Sequence, residues 1–177
     1  LNGCHTALVP VAYLQGVMLV KDAVNDPFIT AFIEQLLEDE IIPNLPMPRE
    51  ELTLYAQSVI GRLKNPFIDH KLLDISLNSM TKFKTRLLPQ MVAYYERTGT
   101  VPALLSFAFS SLICFYKGDY KGSHHEVKDS DFFMALLSEI WKSPPQNEND
   151  AEQMFLPLLR RESHWEYPLY KMTGLKE

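Results

Sequence analysis

Apolar residues recur along this chain at intervals of three and four, the spacing that lines one face of an α-helix. Ala12, Leu14, Val17 and Met18 form such a stripe in the opening segment, with Gly16 a weak interruption. Asp26-Pro27 has the form of an N-cap and first helical position, and FITAFIEQLLEDEII behind it keeps the helical period. Pro43, Pro46 and Pro48 break that helix. Pro48 with Glu50 and Glu51 starts another, its acidic first turn suited to the positive end of the helix dipole. This one carries Leu52, Leu54, Tyr55, Val59, Ile60 and Leu63, and Asn65-Pro66 stops it. FIDHKLLDISLNSM reads as helical in its first half and unsettled around Leu77, Asn78 and Ser79. A strong helix follows from Thr81 to Arg97, closed by Gly99, and then the most apolar one, Pro102 to Tyr116, at the centre of the domain. KGDYKGSHHEVKDSD is the main polar loop; Asp131 to Trp141 is a further helix, SPPQNEND a second loop and Ala151 to Arg161 the last helix. No window alternates with the period of a strand, and no hairpin turn separates two β-rich runs. The pattern predicts an all-α domain of roughly seven to nine packed helices.

Composition narrows the partners more than the fold. With 177 residues, 46% of them hydrophobic and 22% charged, the chain can form one core-bearing domain spanning residues 1–177. A net charge of -5 argues against a nucleic-acid face, which needs clustered Lys and Arg. The longest apolar run, Ala103 to Tyr116, is too short for a membrane span and is interrupted by serines. No charged lead followed by an apolar stretch opens the chain, so a cytoplasmic location is expected. Cys4 and Cys114 lie in apolar sequence and read as reduced core thiols. None of the 7 glycines falls in a GxGxxG pattern, so this chain does not itself hold a dinucleotide in the Rossmann manner.

Three stretches carry candidate chemistry. In Asn2-Gly3-Cys4-His5-Thr6, a helical start projects Asn2 and His5 to one side, where an amide and an imidazole suit the hydroxyls or carbonyl of a polar substrate. Spacing alone favours Asn2 as a plain N-cap and His5 as a first-turn surface residue, because caps of this kind are common. In the second stretch, Asn65 to Arg86, Lys82 and Arg86 lie one turn apart on one face and could grip a carboxylate, while Lys84 points elsewhere. A solvated basic stripe is the bland reading of the same residues, and Asp74 and Asn78 read as loop hydrogen-bonders. The third, Ser123-His124-His125-Glu126, lacks further His or Cys at metal spacing and reads as an exposed polar loop. His164 beside Trp165 reads as packing, and Cys114 has no neighbouring base to activate it.

LNGCHTALVPVAYLQG and RLKNPFIDHKLLDISLNSMTKFKTRLLPQM together resemble the C-terminal domain of the mannitol dehydrogenase group of polyol-specific long-chain dehydrogenases. The resemblance continues through ALLSFAFSSLICFYKG. It implies a helical domain of the 6-phosphogluconate dehydrogenase C-terminal-like kind, completing the substrate site of an enzyme whose own N-terminal Rossmann domain binds NAD. The group's catalytic pattern is Lys, four residues, Asn, two residues, His. Asn2 and His5 match its last two members, and the Lys falls before residue 1, so the chain is expected to be a fragment, inactive alone. The chemistry implied is hydride transfer, with Asn2 stabilising the developing alkoxide, His5 orienting a neighbouring hydroxyl and Lys82 contacting substrate. Asp74 stands where mannitol-type enzymes have a substrate-contacting Arg, a departure compatible with the branch acting on sugar acids. The substrate carboxylate is then assigned by charge to Lys82, Lys84 or Arg86. Two other readings remain open: a helical interaction module without catalysis, and the same framework acting on a neutral polyol.

Overall fold

The computed structural model describes residues 2–65, 67–120 and 122–175, the side chain of Asn2 excepted. Its helices are α1 (Asn2–Leu14), α2 (Val20–Ala23), α3 (Pro27–Gln35), α4 (Arg49–Leu63), α5 (Leu72–Ile75), α6 (Ser79–Arg86), α7 (Leu88–Thr98) and α8 (Ala103–Phe115). A two-stranded antiparallel hairpin of β1 (Asp119–Tyr120) and β2 (Ser123–His124) follows, then α9 (Asp131–Ile140), α10 (Glu148–Leu159) and α11 (Glu162–Trp165). Among the described residues no helix is long and apolar enough to cross a membrane.

The core is built on α1 and α8, which make the most extensive contact in the molecule. Both are apolar around most of their circumference, the composition of a helix surrounded by others. Ala7, Leu8, Val9, Val11 and Ala12 of α1 are buried, as are Leu105, Ala108, Phe109, Leu112, Ile113 and Phe115 of α8. α3, α5 and α6 pack on α1, and α6 also touches α8.

The expected start of α3 is present. The Asp26 side chain accepts from the N–H groups of Phe28 (2.9 Å) and Ile29 (3.0 Å), with Pro27 in the first turn. Past Gln35 the backbone widens into a π-helical turn, Leu36–Ile41, that brings Glu40 inside, 4% exposed. Its two carboxylate oxygens accept from Leu104 N and Leu105 N, each at 2.7 Å. They cap α8, whose own N-cap residue, Pro102, makes no side-chain cap bond.

Several expectations are corrected. The opening stripe stops at Leu14, because Gly16 (φ +90°) turns the chain out of the helix. Leu54 and Tyr55 of α4 are exposed, and Leu52, Val59 and Leu63 form its buried line. The start of FIDHKLLDISLNSM is not helical: Val20 N donates to His70 O and Leu72 N to Met18 O, and the chain coils only from Leu72, as α5. The single helix expected from Thr81 to Arg97 is two helices. Pro89 has no N–H for the carbonyl of Thr85 and its ring crowds that turn, so the ladder breaks at Leu87. Gly99 closes α7 in the left-handed region as expected (φ +73°), its N–H donating to Tyr95 O. α10 starts three residues before Ala151, because Asn147 accepts from Asp150 N at 2.9 Å. Cys4 is buried, its thiol raised by burial, but Cys114 is exposed: with Ala103, Phe107 and Ser110 it forms the one stripe of α8 that faces outward. His164 does pack, stacked on Phe132 with ring centroids 4.1 Å apart.

The histidine-bearing polar loop is the hairpin, and His125 at its end is only 4% exposed. The ring lies against Tyr13 and Phe115, and Nε2 is 2.8 Å from the carbonyl of Phe115, which makes Nε2 the protonated nitrogen. Among the described residues the buried Nδ1 has no hydrogen-bond partner. Burial, against the opposing effect of the hydrogen bond to Phe115, holds His125 below its ordinary value, so the fold disfavours its charged form. Its contribution to stability is therefore present above the unfolded value near 6.5 and is lost as the pH falls through the lower folded value. His164 is lowered likewise, by burial and then by Lys84. Urea titrations at about pH 7.5 and about pH 5.5 are expected to show a loss of stability that is smaller in His125→Gln. An equal loss in both proteins removes His125 as the cause.

Candidate functional site

Two of the chemistry-bearing stretches, far apart in sequence, meet in space. The first turn of α1 lies against the junction of α6 and α7. Gly3 makes that approach feasible, since a Cβ there would meet Leu87 Cδ2 at 3.2 Å and the carbonyl of Arg86 at 3.9 Å. Within α1, Pro10 has no N–H to offer the carbonyl of Thr6, so the helix ladder is interrupted one turn above the candidate residues. The backbone of Asn2 opens α1; its side chain lies outside the described residues, and with it both the capping and the substrate reading of that amide. His5 is half-buried on the same turn, and Thr6 is buried.

From α6, Arg86 brings Nη1 to 3.4 Å from Thr6 Oγ1, a long contact that ties α6 to the start of α1. One turn earlier, Lys82 donates its ammonium to the carbonyl of Ile75 at 2.7 Å, at the C-terminal end of α5. Among the described residues Lys82 makes no ion pair. Burial, then the nearby Arg86 guanidinium, pull its pKa down, and Asp129 partly offsets them. The face therefore carries two cations close enough to repel, one of them partly desolvated. That arrangement favours an incoming anion, whose charge relieves the repulsion and whose paired oxygens match two donor groups.

Asp74, on α5, is exposed, with its N–H directed to Lys71 O, and it makes no ion pair among the described residues. Lys84 stands apart from Lys82 and Arg86, as its position on the helix predicts. It pairs with Glu166 at 2.8 Å and lines an open 730 Å³ groove with Thr81, Thr85, Glu96 and His164. A second, apolar groove of 520 Å³ runs between α4 and the π-helical turn and reaches Cys4. Neither groove is lined by His5, Lys82 or Arg86.

The group that holds the start of α6 carries no recognisable motif in the sequence. Asp129, in the segment before α9, accepts from Met80 N (2.9 Å) and Thr81 Oγ1 (2.7 Å), and also receives the hydroxyl of Tyr116. The only available signal was an Asp beside a run of hydrogen-bonding residues, and Asp129-Ser130 reads more readily as the cap of the helix that follows it. Among the described residues no three His, Cys, Asp or Glu side chains are grouped so as to hold a metal ion.

Residues 1–176 match the family model described as mannitol dehydrogenase C-terminal domain. The chain is 44% identical over 177 residues to the altronate oxidoreductase of Klebsiella pneumoniae (strain 342), covering all of this chain and 37% of that protein. It is 43% identical to the altronate oxidoreductase of Escherichia coli (strain K12), with the same coverage. The chain thus spans little more than a third of the length of these relatives. Among solved structures it superposes on the mannitol 2-dehydrogenase of Pseudomonas fluorescens, in ternary complex with NAD and D-mannitol, with a TM-score of 0.83. That match has 21% identity and covers 99% of this chain and 34% of the other. A substrate-free D-sorbitol dehydrogenase gives 0.72 at 19% identity, covering 99% and 38%. At these identities the structural likeness is one of fold.

Proposed function

The chain belongs to the mannitol dehydrogenase C-terminal domain family, and from that premise we propose that it is the substrate-side domain of an NAD-dependent oxidoreductase interconverting D-altronate and D-tagaturonate. The observation that carries this reading is the 43–44% identity to altronate oxidoreductases, sustained over the whole chain. The paired cations of α6 support it, because a sugar acid brings a carboxylate and a neutral polyol does not. The described helices offer no glycine-rich phosphate loop, so NAD belongs to a companion Rossmann domain in the rest of the protein, where it supplies or accepts the hydride.

This chain's part is to hold the substrate and manage charge. Lys82 and Arg86 of α6 bind the carboxylate, with Lys84 on another side of the same helix and Asp74 on the neighbouring α5 as the further candidate contacts. Asn2 donates its amide N–H to the substrate oxygen as that oxygen becomes alkoxide-like, and His5 orients a neighbouring hydroxyl. In the reductive direction the proton comes from the family's lysine, which in the pattern lies five positions before Asn2.

The test is turnover by the full-length protein with altronate and NAD, compared with mannitol and NAD. Preference for altronate is expected; equal efficiency on mannitol transfers the assignment to a neutral polyol, and turnover of neither leaves a helical interaction module. The 177-residue chain alone is expected to be inactive. In the full-length protein, Lys82→Met should raise KM for altronate about 10- to 100-fold with little change in kcat, the signature of lost ground-state binding. An unchanged KM would remove Lys82 from the carboxylate site.

A further inference from the structure

α6 starts in an unusual way. Asn78, the residue before it, is left-handed (φ 56°, ψ 38°) and makes no side-chain cap bond, so the helix does not provide for its own first N–H groups. A segment fifty residues downstream provides for them. Asp129 Oδ2 lies 2.9 Å from Met80 N and 3.4 Å from Thr81 N, and Oδ1 accepts from Thr81 Oγ1 at 2.7 Å. The hydroxyl of Tyr116 donates to Oδ2 and lies 2.9 Å from Met80 N, while Ser130 N holds Oδ1 at 2.7 Å. Asn78 N donates to Lys128 O at 2.8 Å, which clamps the residue before the helix to the same segment. Tyr116 is buried at the end of α8, so the carboxylate is referenced to the core.

These bonds lock the first turn of a helix only eight residues long, and Lys82 and Arg86 occupy its later turns. A short helix fixed at its start has its axial position and rotation fixed along its length, so a shift at Met80 moves both cations. The carboxylate also places negative charge where the helix dipole is positive. We propose that Asp129, braced by Tyr116, is a positioning residue for the substrate-binding face, setting where Lys82 and Arg86 present their charges. It touches no substrate itself. The inference rests on the reading of Lys82 and Arg86 as carboxylate ligands.

The experiment uses the full-length protein with Asp129→Asn and Tyr116→Phe, and with Glu40→Gln as a reference variant that disturbs the cap of α8 instead. Two measurements are made on each: steady-state kinetics on altronate, and amide hydrogen exchange of the 79–86 segment. Asp129→Asn is expected to speed exchange in that segment at least about tenfold and to raise KM at least about tenfold, with kcat altered less than about threefold. Tyr116→Phe should fall between it and the wild type. Glu40→Gln should leave both the KM and the exchange of residues 79–86 near wild type.

Faster exchange with unchanged KM would reduce Asp129 to a structural cap and overturn the proposal, as would unchanged exchange in Asp129→Asn. An equal rise in KM for Glu40→Gln would also overturn it, since general destabilisation would then account for the effect. If the wild-type protein does not turn over altronate, the functional reading fails. In that case the exchange arm still decides whether Asp129 sets α6.

Discussion

Replacing Asn2 by Ala in the full-length protein is expected to lower kcat on altronate about 10²- to 10³-fold, the usual cost of one oxyanion-stabilising donor. Unfolding free energy should change by only about 1 kcal/mol, the cost of a lost helix cap. The two readings of Asn2 differ in magnitude by readout, and that separates them. A capping amide costs stability and leaves turnover alone; an amide bonded to the developing alkoxide costs turnover and little else. Asn2→Ser sharpens the comparison, because Ser caps a helix about as well as Asn but has no amide N–H to extend to a substrate oxygen. The Ser variant should recover stability without recovering kcat. A wild-type rate in Asn2→Ala would return Asn2 to the ordinary start of α1, leaving His5, Lys82 and Arg86 to be tested alone.

The second large effect is on folding. Glu40→Ala is expected to cost about 3 kcal/mol in urea-induced unfolding, because it leaves the N–H groups of buried Leu105 and half-buried Leu104, at the head of the central helix, without acceptors. Glu40→Gln keeps one acceptor oxygen but turns an NH₂ toward the other N–H, and should cost roughly half as much. Burial raises the Glu40 carboxyl above the ordinary carboxylate value, against the lowering effect of the N–H groups of Leu104 and Leu105. The folded chain therefore holds this proton more tightly than the unfolded one. The corresponding stability is fully present below the unfolded value of 4.5 and declines as the pH rises through the folded value. Glu40→Gln should lack that part of the acid-range dependence. A cost below about 1 kcal/mol for Glu40→Ala would show that water or a backbone shift satisfies the N–H groups of α8 instead.

Much of the architecture was legible as local chemistry. The cap Asp26-Pro27, the C′ residue Gly99 and the apolar helix behind Pro102 are all encoded within a few residues of where they act, by one side chain, one permissive backbone or one period. Pro89, whose missing N–H separates α6 from α7, is equally local. The burial of His125 is not local. Nothing adjacent in sequence indicates that Tyr13 and Phe115 will enclose it, because those contacts belong to packing between distant segments.

The candidate site divides in the same way. The one-turn spacing of Lys82 and Arg86, and the opposite heading of Lys84, follow from helical periodicity and could be read directly. That the start of α1 meets the end of α6 depends on Gly3 fitting against Leu87. The setting of α6 depends on Asp129, about fifty residues downstream of its first turn. Glu40 reaches Leu104 and Leu105 only because a π-helical turn rotates it inward. The sequence by itself determined which segments coil, where most of them stop and which faces carry charge, since propensity, capping and period act over one or two turns. Only the tertiary structure decided which charged faces meet, and which helix ends are capped by residues far along the chain, because those interactions exist only once the core has closed.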